Sequence, residues 1–171
     1  IDPDETLRLG VFRIEFFRVT HSIPDSIGLI IHTPYGAIVH TGDFKIDPTP
    51  IDGKVTDLPK LEKTAQTNSG ILMLISDSTN AEEPGYTLSE KVIGESFEKA
   101  FNQAHGRIII ATFSSLIARV QQMIWAAEKF GRKVAISGRS MQNNIEVATK
   151  LGYLKIPEGL VVDMKDMKKV P

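Results

Sequence analysis

Between Val11 and Val19 apolar and charged positions partly alternate, Phe12, Ile14 and Phe16 against Arg13, Glu15 and Arg18. That two-residue period predicts a strand with one covered face. Ile27–His32 and Ala37–Thr41 predict two more strands. Thr33-Pro34-Tyr35-Gly36 lies between them, with Pro and Gly where a tight hairpin turn uses them. Residues 42–56 are rich in Pro, Asp and Gly and predict a loop. A short helix is expected over Asp57–Thr67, because Pro59 is tolerated in a first turn. Ile71-Leu72-Met73-Leu74-Ile75 is an unbroken apolar run of strand length. It predicts a strand buried on both faces.

The pattern changes after residue 84. Thr87-Leu88-Ser89-Glu90 has the spacing of a capping box, and Ile93, Phe97, Ala100, Phe101 and Ala104 follow at helical spacing. Arg107–Thr112 predicts a β-branched strand. Ser114 is placed to cap a helix carrying Ile117, Val120, Ile124, Ala127 and Phe130, ended by Gly131. Lys133–Ser137 predicts a strand, Gly138-Arg139-Ser140 opens a helix reaching about Leu151, Gly152 stops it, and Leu160–Val162 predicts a last short strand. Helix and strand alternating through short connections predict a parallel sheet covered by helices. The expected organisation is two parts of an α/β chain, residues 1–84 and 85–171.

The chain has 171 residues, enough for a substantial core. Mean hydropathy is near zero, at −0.07. No apolar run approaches the roughly 20 residues needed to span a bilayer, so no membrane association is expected. The absence of cysteine excludes disulfides and thiolate metal sites and fits a cytoplasmic protein. Net charge is −1, which argues against a nonspecific nucleic-acid binder, but the charge is unevenly spread. Residues 1–84 hold 7 Lys/Arg and 13 Asp/Glu, whereas residues 85–171 hold 13 and 8. An acidic half beside a basic half is what a metal-binding layer next to a polyanion-binding layer would give. The chain lacks an initiator Met, and its last residues resemble the start of another element, so it reads as a piece of a longer protein.

Candidate chemistry sits at strand ends. His21 follows the first strand in Thr20-His21-Ser22-Ile23-Pro24-Asp25-Ser26, and Asp43 follows the third in His40-Thr41-Gly42-Asp43-Phe44-Lys45. Neutral imidazole and carboxylate together suit zinc, manganese or iron. Asp77, in Ser76-Asp77-Ser78-Thr79-Asn80, stands where open α/β sheets place functional groups. The alternative for each is ordinary: a loop histidine bonded to backbone, a turn-capping aspartate, an Asx turn. His32 and His40 read as strand-face residues and His105 as a helix-end residue. Ser114-Ser115 and Gly138-Arg139-Ser140 each follow a strand and open a helix, so their free N–H groups, with Arg139 nearby, offer a seat for phosphate. Neither a G-x-G-x-x-G fingerprint nor a G-x-x-x-x-G-K-[ST] loop occurs, which leaves dinucleotide and P-loop readings unsupported.

Taken together, THSIPDS, HTGDFK, SDSTNAE and the ATFSS and SGRSM segments resemble the ribonuclease J family over essentially the whole chain. The resemblance implies part of a metallo-β-lactamase αββα domain followed by part of a β-CASP domain. It implies a cleft with two divalent metal ions, usually taken as zinc, a homo-oligomeric parent protein, and endonuclease and 5′-to-3′ exonuclease activity on RNA. Carried over by position, His21 matches a ligand of one metal and Asp43 the carboxylate bridging both. Asp77 matches the acidic residue of the first β-CASP motif, which supports the active-site histidines. Ser114, Ser115, Arg139 and Ser140 remain candidates for substrate binding. His21 is followed by Pro24-Asp25 where the wider superfamily has Gly, a departure typical of ribonuclease J. The family's His-x-His-x-Asp-His motif, its later histidines and its final metal-ligand histidine do not occur here. The segment alone is therefore expected not to hydrolyse RNA. Competing expectations are a metallo-β-lactamase-fold hydrolase acting on a small ester, or a noncatalytic nucleotide- or partner-binding α/β module.

Overall fold

The structure, a computed structural model, describes residues 2–169. Among these the contacts divide into two compact units, residues 2–21 with 25–89, and residues 22–24 with 90–169.

The first unit is a five-stranded sheet in the order β1-β2-β3-β4-β5. Its strands are β1 (Thr6–Leu9), β2 (Phe12–Arg18), β3 (Ile27–Thr33), β4 (Gly36–His40) and β5 (Ile71–Ile75). Strands β1 to β4 form an antiparallel meander, and β5 joins β4 in parallel. The expected hairpin is present, with Thr33 opposite Gly36 and Pro34-Tyr35 at the turn. The β1 strand was not anticipated, because Thr6-Leu7-Arg8-Leu9 is too short to show a period on its own. It pairs with β2 across Gly10-Val11, with Leu9 opposite Phe12.

The core of this unit is Phe17, Val19, Ile30, Ala37 and Val39, with Phe44 and Leu61 against it. Leu61 comes from α1 (Leu58–Ala65), which begins as predicted. Asp57 caps it by accepting from Lys60 N–H, and Pro59 sits in the first turn, where its missing N–H costs nothing. The Lys60 ammonium then donates to the carbonyls of Pro3 (3.1 Å) and Phe16 (2.6 Å), tying the helix to the sheet.

One expectation is corrected here. The β5 strand is not buried on both faces: its side chains range from 37% exposed at Ile71 to 62% at Leu72. It is the last strand of the sheet and has only β4 beside it among the described residues. Its apolar run is enough to make a strand but does not by itself supply a cover.

The second unit contains α2 (Glu90–Gln103), α3 (Ile117–Lys129), β6 (Val134–Ala135), α4 (Arg139–Lys150), β7 (Val161–Val162) and a 3₁₀ helix, Met164–Lys169. Its core gathers Ile117, Val120 and Ile124 from α3 with Ile145 and Ala148 from α4, and Leu154 and Leu160. A second cluster joins Phe101 of α2 to Ala126 and Ala127 of α3. The β6 and β7 strands pair in parallel on either side of α4 in sequence, the βαβ arrangement that the alternation predicted.

Three expectations differ in this unit. Arg107–Thr112 belongs to no strand, so its β-branched run lacks a ladder. The helix after Ser114 starts at Ile117 with Leu116 at its cap position and no side-chain cap bond. The capping-box helix starts at Glu90 itself, and the Glu90 carboxylate is held by the Arg119 guanidinium at 3.0 Å. The predicted stops at Gly131 and Gly152 are present, with φ of 62° and 79°.

Candidate functional site

Strands β2, β4 and β5 run in the same direction, because β3 is antiparallel to both β2 and β4 and β5 is parallel to β4. Their carboxyl ends therefore lie along one sheet edge. His21 comes three residues after β2, Asp43 three after β4 and Asp77 two after β5. The strand directions alone bring these three side chains to the same edge.

Local bonds fix each loop there. Thr20 forms an antiparallel bridge with Lys45. Lys45 N–H donates to Thr20 C=O at 2.8 Å, and Thr20 N–H donates to the Thr56 hydroxyl at 3.0 Å. The neighbours of His21 and Asp43 are thereby joined directly. Between them Gly42 adopts φ +62°, the left-handed turn that Thr-Gly-Asp suggested. Its N–H donates to His40 Nδ1 at 3.0 Å, so His40 serves the turn.

Asp77 is anchored within its own loop. Its carboxylate accepts from the Thr79 hydroxyl at 2.6 Å and from Thr79 N–H at 2.9 Å. These bonds, foremost the hydroxyl's, hold its pKa below the ordinary aspartate value. The nearby Phe44 N–H and His21 act in the same direction, and desolvation opposes them. The ionised form of Asp77 is thus favoured. Its own N–H donates to the Thr41 hydroxyl at 3.0 Å. Sequence reasoning did not single out Thr41 or Thr79. The Asp-Ser-Thr spacing of a local Asx-type turn was a signal for Thr79, but nothing in the sequence marks Thr41, which lies 36 residues from its partner.

Zinc in a closed site takes four ligands and in a catalytic site three protein ligands. Among the described residues no three His, Asp or Glu side chains are grouped closely enough to hold a metal ion. His21 and Asp43 are chemically suitable donors, but the residues of this segment do not by themselves fit a complete one- or two-ion centre.

In the second unit, Ser114 and Ser140 meet hydroxyl to hydroxyl at 2.8 Å, and the Asn144 amide donates to Ser114 Oγ at 3.1 Å. Asn144, one turn into α4, was not anticipated. Ser115 enters the turn through its carbonyl, which accepts from Ile117 N–H at 2.8 Å. Arg139 is exposed at the first position of α4. Gly138 caps that helix at φ 98° and, having no side chain, gives its first N–H groups no capping bond.

Comparison with known proteins agrees with this architecture. Residues 105–171 match the family described as Ribonuclease J, beta-CASP domain. Over its whole length the chain is 50% identical to Ribonuclease J of Thermus thermophilus and 49% identical to that of Synechocystis, covering 30% and 27% of those proteins. It is 45% identical to Ribonuclease J2 of Bacillus subtilis over 93% of this chain and 28% of that one. The chain thus spans less than a third of the length of these curated relatives. A crystal structure of a protein of unknown function from Enterococcus faecalis V583 superposes with a TM-score of 0.68 at 16% identity. That match covers 96% of this chain and 41% of the other, and it speaks for the fold alone. Residues 105–171 thus match the β-CASP domain of ribonuclease J, and the whole chain is similar to a segment of the longer proteins of that name.

Proposed function

We propose that this chain is part of a metal-dependent hydrolase that cleaves RNA. The observation that carries the reading is the 50% identity, held across the entire segment, to a protein named Ribonuclease J. In this reading the first unit belongs to a metallo-β-lactamase domain. His21 and Asp43 give part of a two-ion centre, with Asp43 as the shared carboxylate, and the remaining ligands come from parts of the protein beyond this segment. Two bound dications would supply charge to stabilise the oxygens of a phosphodiester under attack. Asp77 acts from beside them as a fixed anion that holds the neighbouring loop and His21. The metal is proposed to be zinc, the location cytoplasmic and the parent homo-oligomeric. Among the described residues no helix is long and apolar enough to cross a membrane.

In the second unit the Ser114–Ser140 pair, the start of α4 and Arg139 form a seat for an RNA phosphate. Hydroxyls and backbone N–H groups donate to phosphate oxygens, and a guanidinium adds charge-assisted bonds. The 13 Lys/Arg of residues 85–171 supply the wider field that tracks the backbone.

The test uses the full-length protein with a labelled 5′-monophosphorylated RNA. Asp43→Ala should abolish cleavage while leaving RNA binding intact, since binding rests on phosphate contacts elsewhere. Arg139→Ala should weaken binding and lower its salt slope by about one unit at most. Unchanged cleavage by the Asp43 variant with both metals bound would refute the mechanistic assignment. The 171-residue segment alone should not cleave the RNA.

A further inference from the structure

We propose that Thr41 is a positioning residue, locking the loop that carries Asp43 to the loop that carries Asp77. The proposal rests on the reading of these loops as one active-site edge.

Thr41 is the residue just past β4 and is buried, 6% exposed, although it is polar. Its main chain extends the pairing with β5: Thr41 N–H donates to Ile75 C=O at 3.0 Å. Its hydroxyl is used in both senses, donating to Gly42 C=O at 2.7 Å and accepting from Asp77 N–H at 3.0 Å. Asp77 is therefore tied through its main chain to residue 41 of the β4 loop, two positions before Asp43. An exposed carboxylate on a Gly-containing turn is otherwise free to wander by an ångström or more. Misplacement on that scale is enough to cost a catalytic site much of its rate. A buried hydroxyl with both of its roles filled fixes one geometry, and removing it leaves the Asp77 N–H and the Gly42 carbonyl unsatisfied. Valine matches threonine in shape and deletes only the hydroxyl. Serine keeps the hydroxyl and deletes only the methyl group.

The experiment compares Thr41→Val and Thr41→Ser in the full-length protein by site-resolved amide hydrogen exchange and by RNA cleavage kinetics. In Thr41→Val the Asp77 amide should exchange about tenfold faster, the worth of roughly one buried hydrogen bond. Ile30 and Val39 in the core should keep their protection. Cleavage should lose a similar factor in kcat with KM unmoved, and Thr41→Ser should restore both readouts. Unchanged exchange at Asp77 in Thr41→Val, or failure of Thr41→Ser to restore it, overturns the proposal. Should Ile30 and Val39 also lose protection in Thr41→Val, Thr41→Ser decides, because it keeps the hydroxyl. Asp77 protection that matches the wild type there supports the lock, and faster exchange at Asp77 while Ile30 and Val39 keep their protection refutes it. If the wild-type protein cleaves no RNA, the ribonuclease reading fails, and the exchange comparison still decides the role of Thr41.

Discussion

At the scale of single residues, Asp77 joins electrostatics to geometry. Its pKa is lowered chiefly by the Thr79 hydroxyl, then by Thr79 N–H, so the ionised form is favoured in the folded chain. A carboxylate whose folded pKa is lowered adds stability above its unfolded pKa. That contribution is lost as pH falls through the lowered folded value. The Asp77 bonds should thus persist at neutral pH and loosen only in acid, below the ordinary carboxylate range. Carboxyl NMR titration should find the Asp77 midpoint below that of a free aspartate. Thr79→Ala should move the midpoint upward, because it removes the largest stabilising contact. A midpoint that stays put in Thr79→Ala would show that some other group holds the charge.

At the scale of elements, the turn between β4 and the Asp43 loop is the most constrained point near the site. Gly42 sits at φ +62°, and a Cβ placed there would lie 2.9 Å from the Ile27 carbonyl oxygen. Gly42→Ala combines a left-handed backbone cost of about 1–2 kcal/mol with a clash against main chain that has no freedom to move. Chemical denaturation should show at least that loss, with the slope unchanged; a neutral result would mean the turn can be redrawn. This turn was legible in the sequence, since Thr-Gly-Asp after an apolar strand has few other conformations. The Pro34-Tyr35 hairpin, the Asp57–Pro59 helix start and the Gly131 and Gly152 stops were legible for the same reason: each depends on residues within a few positions. Partnership was not legible. Ile71–Ile75 and Arg107–Thr112 have equally good strand composition, yet only the first finds a ladder. Glu90 had the spacing to fold back on Thr87, but Arg119, 29 residues away, holds its carboxylate. The candidate site divides along the same line. His21, Asp43 and Asp77 could be read from strand ends, whereas Thr41 and Asn144 are recognisable only once distant segments meet.

At the scale of the whole molecule, β5 leaves the first unit with an open apolar margin. Leu72 and Leu74 lie on one face of the strand, 62% and 61% exposed, and the run of five carries no charge. An uncovered edge of this composition pairs readily with another chain. The isolated segment should therefore self-associate in light scattering as concentration rises. Leu72→Lys with Leu74→Lys should suppress that association, because charge on an edge strand disfavours strand addition. Equal association in the double variant would assign the stickiness to another surface.

The order of the strands also implies an order of events. Strands β1 to β4 close through short connections, two of them tight two-residue turns, whereas β5 reaches β4 only after the 30 residues from 41 to 70. Closing that longer loop costs more chain entropy before any pairing repays it, so the meander should assemble first and β5 should zip on afterwards. Kinetic φ-values would then be high for Phe17→Leu and Ile30→Val and close to zero for Leu74→Ala. Because the Asp77 loop is held by β5, the three-residue edge would become complete only in the last step of folding, and a nascent chain would pass most of its folding time without it.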